Sequence, residues 1–200
     1  MRKRTKKCVI LLSGGLDSTV VLSICNQLKY EIYAISFNYK QRHAKELDLA
    51  KWQANKHNVK SHKIFNIDLY GGSALTDDIK VPENKDVASI PKTIPVTYVA
   101  GRNLVFLSIA AGYAESLDIN DIYIGVNSVD YSGYPDCRKE FIVSFEKIIN
   151  KFTKKGLEGR SFRIKTPLIN LSKGEIVLVG KKNNVDFSKT SSCYNPKNSK

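Results

Sequence analysis

Cysteine and long apolar runs are both scarce in this 200-residue sequence. Its four cysteines are widely spread, which argues against a disulfide-stapled secreted protein and favours a reducing compartment. The charged first residues and the apolar run 8–12 imitate a signal peptide, but the run is too short and no cleavage site of small residues follows. No stretch approaches the roughly 18 uninterrupted apolar residues of a membrane span. We therefore expect a cytoplasmic protein with no membrane association.

Acidic residues are also few, since 19 Asp and Glu stand against 32 Lys and Arg and give a formal net charge of +13. This excess predicts anionic partners such as phosphates, nucleic acid or an acidic small molecule, although a solvated basic surface explains it equally well. With 42% hydrophobic residues, the chain can bury a sizeable core. The composition excludes disordered and collagen-like proteins and indicates a globular domain.

Apolar runs alternate with stretches of helical periodicity along the chain. Strands are predicted at residues 8–12, 31–38, 59–68, 121–126 and 162–165, and helices near 17–28, 42–57, 102–117, 141–152 and 172–183. Because strands that alternate with helices form parallel βαβ units, we expect an α/β fold with an open, doubly wound, parallel five-stranded sheet. Residues 1–186 are expected to form one domain, with 69–96 as an insertion or lid loop and 187–200 as an irregular tail.

Periodicity and capping signals also predict which individual residues cap helices, lie at the surface or face the core. Asp17 and Ser18 are placed at the N-cap and first turn of the first helix, and Ser172 with Glu175 as a capping box. His57 and His62 are interpreted as surface residues. Two apolar helix stripes are predicted, one with Leu104, Leu107, Ala111, Ala114 and Leu117, the other with Phe141, Phe145, Ile148 and Phe152.

The segment 13–19, with the sequence Ser-Gly-Gly-Leu-Asp-Ser-Thr, lies between a predicted buried strand and an amphipathic helix. Glycines let backbone N–H groups approach a ligand, and a helix N-terminus adds unpaired donors and a positive dipole end. The hydroxyls of Ser13, Ser18 and Thr19 can donate to phosphate oxygens, and Asp17 can hold a magnesium ion. An ordinary strand-to-helix turn is the alternative. The Walker A, dinucleotide and nucleophile-elbow patterns are all absent from the sequence.

This Ser-Gly-Gly-x-Asp-Ser form resembles the pyrophosphate loop of the adenine-nucleotide alpha hydrolases, which cleave ATP to AMP and pyrophosphate. Within that group, four further segments resemble elements of the 7-cyano-7-deazaguanine synthases. They are 39–46 (YKQRHAKE), 98–103 (YVAGRN), 125–138 (GVNSVDYSGYPDCR) and 166–177 (TPL followed by LSKGEIV), with Ala100 where the family usually has proline. All five elements occur in the family's order.

The resemblance implies an ATP-dependent ligase that converts 7-carboxy-7-deazaguanine and ammonia into the nitrile 7-cyano-7-deazaguanine, on the path to queuosine. Ammonia does not displace a carboxylate at neutral pH, so the carboxylate must first be adenylated, and charge on the alpha phosphate needs stabilisation. The implied cofactors are ATP and Mg²⁺. The implied catalytic residues are Asp17, Arg102, Lys173 and His43, and the implied ATP-binding residues are Leu11, Leu12, Ser13, Gly14, Gly15, Leu16, Asp17, Ser18, Thr19, Gly101 and Arg102.

Substrate recognition is assigned by the same resemblance, mainly to the loop after the fourth strand. Carboxylates can accept hydrogen bonds from a guanine-like base, an amide can read its carbonyl, tyrosines can stack, and arginine can pair with the substrate carboxylate. By composition alone this loop is an ordinary surface turn. The expected substrate-binding residues are Gln41, Arg42, Asn103, Asn127, Asp130, Tyr131, Tyr134, Asp136 and Arg138.

Family members typically end in a cysteine cluster that binds structural zinc, and here only Cys193 in Ser-Cys-Tyr matches it. Zn²⁺ is expected from the family, but a tetrahedral site needs four ligands and this sequence contains no C-x-x-C. Cys8 and Cys25 are predicted to be small core residues. We therefore expect a shortened form without zinc, whose tail 187–200 is a remnant of the zinc segment; a partner chain that supplies ligands is the alternative.

Two other functions stay open. The chain could be another ATP pyrophosphatase of the same group that modifies tRNA, or a zinc-less, non-catalytic relative that binds nucleotides or nucleic acid. The basic stretches 3–7 and 151–163 are compatible with phosphate contacts, but they lack the interleaved aromatics of a stacking platform. Direct nucleic-acid binding is therefore not expected, and a homodimer is expected by resemblance.

Overall fold

A computed structural model describes residues 5–39, 45–68, 73, 94–128 and 133–191 of the chain. Within them, parallel strands form one sheet in the order β3-β2-β1-β4-β5. The strands are β1 Lys7–Leu11, β2 Glu31–Asn38, β3 Ser61–Asn66, β4 Asp121–Tyr123 and β5 Arg163–Lys165. The helices are α1 Leu16–Gln27, α2 Lys45–Lys56, α3 Arg102–Ser116, α4 Lys139–Phe152, α5 Lys154–Leu157 and α6 Lys173–Lys182.

The central strand β1 is buried on both faces. Val9 and Leu11 point into a core formed with α3 and α4, whereas Cys8 and Ile10 point into a second core formed with α1, α2 and α6. This double burial explains why residues 8–11 of β1 are all apolar. Since helices cover both faces of a parallel sheet, the expected α/β doubly wound fold is confirmed.

Some strand ends differ from the positions predicted from the sequence. β2 has the predicted bounds, but β3 and β4 are shorter than predicted. After β4, Gly125 lies against the start of α1, where an added Cβ would come within 3.1 Å of the Ser18 nitrogen. After β4 the chain therefore leaves the sheet and contacts the first turn of α1.

Both predicted helix stripes need correction. Leu104 is 47% exposed on α3, although Leu107, Ala111 and Ala114 are buried as expected. On α4 the exposed side chains include Ile148 and Phe152, whereas the buried stripe is formed by Ile142, Phe145 and Ile149. The predicted and the observed stripe of α4 share Phe145 and otherwise use neighbouring positions. Both fit a 3.6-residue period, so periodicity alone could not choose between them.

Helix ends and histidines are partly as predicted. The capping box of Ser172 and Glu175 at the start of α6 is confirmed. The N-cap of α1 is Gly15, with no side-chain cap, so the placement of Asp17 at the N-cap is wrong and this residue lies in the first turn. Both histidines are half-buried rather than surface residues: His57 lies beside Asn26, and His62 Nε2 lies 2.7 Å from the Ser36 hydroxyl on β2.

Two other features bear on the sequence expectations. The predicted lid at 69–96 falls outside the described residues except for Ser73 and 94–96, and the predicted tail 187–200 falls outside them except for 187–191. Among the helices of the described part of the chain, none is long and apolar enough to cross a membrane.

Candidate active site

The phosphate loop, residues 13–19, lies where the strand order reverses. From β1 the sheet continues to β2 on one side and to β4 on the other, so the carboxyl ends of β1 and β4 flank a crevice. Ligands of open α/β sheets bind at such switch points. The loop follows β1 and the segment containing Asn127 follows β4, so both reach this crevice.

Hydroxyl groups hold the phosphate loop in a compact turn. The Ser13 and Ser18 Oγ atoms lie 3.0 Å apart, and Ser13 Oγ accepts a hydrogen bond from the Gly15 amide at 3.2 Å. Ser18 Oγ and Thr19 Oγ1 both donate to the Gly15 carbonyl, at 3.1 and 2.9 Å. The loop thus gathers three hydroxyls at the amide end of α1, and hydroxyls and helix N-terminal amides are groups that can bind phosphate.

Gly14 is the position where the loop requires glycine. Its φ of +80° is a conformation that residues with side chains rarely adopt, and a Cβ would lie 2.7 Å from the Ala50 nitrogen and closer still to the Glu46 carbonyl oxygen. The backbone of α2 therefore packs directly against the loop.

Asp17 is the centre of a charged cluster at the mouth of the loop. Lys173 Nζ donates to Asp17 Oδ2 at 2.6 Å, and Asn127 Nδ2 donates to the same oxygen at 3.3 Å. The other carboxylate oxygen, Oδ1, is buried and has no hydrogen-bond partner among the described residues. The structure thus brings together three residues that are 110 and 156 positions apart in sequence.

This arrangement fits a magnesium ion. Mg²⁺ prefers oxygen ligands and is usually held by one or two carboxylates together with substrate phosphates. Asp17 Oδ1 is a buried carboxylate oxygen without a hydrogen-bond donor among the described residues, beside a loop suited to phosphate. Asp17 is therefore the residue that would hold the ion.

Backbone ties fix Asn127 and Lys173 relative to each other. Ser128 donates to the Leu171 carbonyl from both its amide, at 3.3 Å, and its hydroxyl, at 2.8 Å. Leu171 precedes the capping box that starts α6, whose first residue is Lys173. The loop after β4 and the start of α6 are thus clamped together, and each brings one donor to Asp17.

Arg102 lies at the same edge of the sheet, at the start of α3. Its Nη1 donates to the hydroxyl of Tyr39, which directly follows β2, at 3.4 Å. Gly101 caps α3 with a φ of +62°, and its amide donates to the Tyr98 hydroxyl at 3.0 Å. The carboxyl ends of β1, β2 and β4 therefore all contribute polar groups to this edge.

A second polar cluster joins the start of α3 to the 3₁₀ turn Pro135–Cys137. The buried Asp136 carboxylate accepts a hydrogen bond from the Asn103 amide at 2.8 Å, and Asn103 Nδ2 donates to Cys137 Sγ at 3.1 Å. Burial raises the pKa of Asp136, while the Asn103 bond and the charge of Arg102 act in the opposite direction. In this structure the Asp136 side chain anchors α3, and its assignment to substrate stays a prediction.

Other expected substrate residues lie beside this cluster or away from it. The Tyr134 hydroxyl lies 2.7 Å from Thr97 Oγ1, and its ring stacks on Tyr98. Arg138 is exposed at the start of α4. Among the expected ATP-binding residues, Leu11 ends β1, Leu12 is buried and Leu16 opens α1. Six expected site residues lie outside the described part of the chain, namely Gln41, Arg42, His43, Asp130, Tyr131 and Cys193.

The described cysteines do not fit a zinc site. Cys8, Cys25 and Cys137 are buried free thiols; the first two lie in the core as predicted, and the third accepts its hydrogen bond from Asn103. Among the described residues, no group of three or more His, Cys, Asp or Glu could hold a metal ion. No role for zinc is derived from these residues.

Sequence reasoning left several site residues without a role. Tyr39 and Ser128 belong to the recognised motifs but contact distant segments, whereas the Tyr98 hydroxyl accepts from Gly101 within its own motif. Gln53 had a detectable signal, since it is a polar residue three positions after Ala50 on the buried face of α2, and it is only 1% exposed.

Comparison with known proteins agrees with this geometry. The family model of the queuosine biosynthesis protein QueC matches residues 7–200. The chain belongs to this family. The 7-cyano-7-deazaguanine synthase of Saccharophagus degradans is 55% identical over 192 residues, which are 94% of this chain and 83% of that protein. The enzyme of the same name from Rickettsia akari is 50% identical over 194 residues, covering 96% and 86%. The resemblance found from the motifs is thereby confirmed.

Solved structures with the same fold are much less similar in sequence. The ammonia-dependent NAD synthetase of Campylobacter jejuni is 18% identical, with a TM-score of 0.53 over 94% of this chain and 68% of that one. The NMN synthetase of Francisella tularensis is 17% identical, with a TM-score of 0.55 over 93% and 65%. These neighbours support the fold of this QueC-family chain, and the curated relatives support an enzyme of the synthase type.

Proposed function

We propose that this chain is an ATP-dependent 7-cyano-7-deazaguanine synthase that takes the nitrile nitrogen from ammonia and passes through adenylated intermediates. The observation that carries the proposal is the contact of Lys173 and Asn127 with Asp17 at the mouth of the phosphate loop. An ammonium group, a carboxylate and a cradle of hydroxyls and amides meet there, and this set suits a polyphosphate. The names of the close relatives supply the substrate class.

The first chemical step is adenylation of the substrate. A carboxylate oxygen of 7-carboxy-7-deazaguanine attacks the alpha phosphorus of ATP, and the bond to the bridging oxygen breaks to release pyrophosphate. The loop hydroxyls and amides hold the departing pyrophosphate, while Lys173 and Arg102 stabilise charge on the alpha phosphate. A magnesium ion held by Asp17 would neutralise further phosphate charge.

The nitrogen enters in the second half of the reaction. Ammonia attacks the acyl carbon, AMP leaves, and loss of a proton gives the amide. The amide oxygen then attacks the alpha phosphorus of a second ATP and again releases pyrophosphate. Removal of the remaining amide protons and departure of AMP form the nitrile. The overall balance is two ATP to two AMP and two pyrophosphate per nitrile.

One incubation tests this function. The protein is mixed with magnesium, ATP, ammonium and 7-carboxy-7-deazaguanine, and AMP, pyrophosphate and the nitrile are quantified together by mass spectrometry. The proposal expects nitrile and two equivalents of AMP, with both products lost in Asp17→Asn. AMP without nitrile would assign the loop to another acceptor, such as tRNA. Binding of ATP without AMP would indicate a non-catalytic relative.

Assembly as a homodimer is part of the same proposal, because it rests on the family resemblance. Light scattering at micromolar concentration measures it directly, and a mass near the 22.5 kDa of one chain would contradict it. The same sample can be mixed with tRNA, for which no binding is expected.

A further inference from the structure

Residues 186–191 form a short connection, here called the strap, that runs from the end of α6 to the phosphate loop. Asp186 begins it by accepting a hydrogen bond from the Ser188 amide at 3.0 Å, which caps the 3₁₀ turn Phe187–Lys189. At the other end, Ser191 pairs with Gly15 in a parallel bridge. The strap thus joins the loop to a part of the sequence more than 170 residues away.

Side chains hold the strap at two points. The Phe187 ring packs against α6 and α1, so that a Cβ on Gly180 would lie 2.6 Å from its Cζ atom. The Gln53 side chain of α2, which is 1% exposed, donates from Nε2 to the Lys189 carbonyl at 2.8 Å. Because the buried Gln53 amide needs an acceptor, this bond holds the strap at a fixed position relative to the loop.

The end of the strap bonds to the one peptide group in the loop that lies between two glycines. The Ser191 amide donates to the Gly14 carbonyl at 3.2 Å. A peptide unit is planar, so its C=O and N–H point in opposite directions, and holding the Gly14 oxygen fixes where the Gly15 N–H points. A plane flanked by two glycines has little steric resistance to reorientation. The Gly15 N–H now faces Ser13 Oγ, among the phosphate-binding groups.

We propose that Gln53 is a positioning residue for the phosphate loop: by holding the Lys189 carbonyl it seats Ser191 on the Gly14 carbonyl and so aims the Gly15 N–H at the phosphate. α2 supports the loop twice, through its backbone against Gly14 and through Gln53 acting on the strap. The inference rests on the proposed use of this loop for a nucleotide.

Gln53→Met tests the inference, because methionine keeps the length of the side chain and removes the donor. Calorimetry in magnesium buffer measures the dissociation constants of ATP, pyrophosphate and adenosine. The expected result is about tenfold weaker binding of ATP and pyrophosphate, the size of one hydrogen bond, with adenosine unchanged. A residue that merely stabilises the fold would affect all three ligands alike.

Two further variants make the test independent of folding. Gly180→Ala displaces the strap from its other end through Phe187, so the same phosphate-selective loss is expected. Asn120→Leu removes a comparable bond, from Nδ2 to the Ser161 carbonyl at 3.0 Å, at the opposite edge of the sheet, and wild-type binding of all three ligands is expected. Equal weakening of adenosine in Gln53→Met, or wild-type affinity for pyrophosphate, would overturn the inference. If the wild-type protein binds neither ATP nor pyrophosphate, the proposed function itself fails.

Discussion

Lys173→Met removes the ammonium group that lies 2.6 Å from Asp17 Oδ2. Methionine keeps most of the apolar stem, so the change isolates the charge. The Lys173 side chain is 46% exposed, and water therefore screens the ion pair, whose expected contribution to the free energy of unfolding is about 0–1 kcal/mol. In the proposed reaction the same group stabilises charge on the alpha phosphate, and removing one such donor is expected to lower kcat by about 10²–10³-fold.

The assay compares AMP release with urea unfolding in the same samples. Lys181→Met is the matched control, because this lysine is exposed in the last turn of the same helix, and full activity is expected. Loss of activity in Lys173→Met with a free energy of unfolding within about 1 kcal/mol of the wild-type value supports the assignment. A wild-type kcat in Lys173→Met would remove this residue from the chemistry. A loss of more than about 3 kcal/mol in stability would instead make it structural.

Three further results are expected. Gly14→Ala should lower the free energy of unfolding by at least about 2 kcal/mol and abolish ATP binding, because it forces a methyl group against α2 at a positive φ. Gly15→Ala, at a position with φ of −75°, should lose less than half as much stability. Equal losses in the two variants would contradict this prediction. Burial, together with the charge of a nearby lysine, lowers the pKa of His62 below its ordinary 6.5. The unfolded chain therefore takes up the proton first as pH falls, and stability is lost as pH falls through about 6.5. The urea midpoints at pH 7.5 and 5.5 should differ less in His62→Gln than in the wild-type protein. Ser128→Ala removes one of two bonds to the Leu171 carbonyl and should lower kcat severalfold with little change in unfolding, measured as for Lys173→Met.

Sequence predicted the order of elements well because each signal is local. Residues 8–11 of β1 are all apolar, and their burial on both faces of the sheet is the physical cause of that pattern. The β2 bounds were right, and the capping box at α6 could be read from two residues. The α4 stripe was misplaced because the choice between Phe141 and Ile142 depends on how the helix packs, which periodicity does not contain.

The site was predictable only as separate pieces. The phosphate loop could be recognised because glycines, hydroxyls and a helix start lie within seven residues. The contact of Lys173 with Asp17 and the Ser128–Leu171 clamp beside it join segments 156 and 43 residues apart, and neither has a local signature. The contact of Asp136 is likewise non-local, since its carboxylate accepts a hydrogen bond from the backbone amide of Asn103, 33 positions away.

The strap shows why non-local support of a binding loop escapes sequence analysis. A Gly-Gly pair permits close approach to phosphate, but the same freedom leaves the direction of its N–H undetermined by local sterics. Two hydrogen bonds then fix the direction: the Gly15 N–H donates to Ser13 Oγ within the loop, and the Ser191 amide donates to the Gly14 carbonyl from outside it. The residue that secures Ser191 is Gln53, 136 positions before its bonded partner Lys189. A loop motif therefore specifies which donors are present, whereas buried polar side chains on neighbouring helices specify where those donors point.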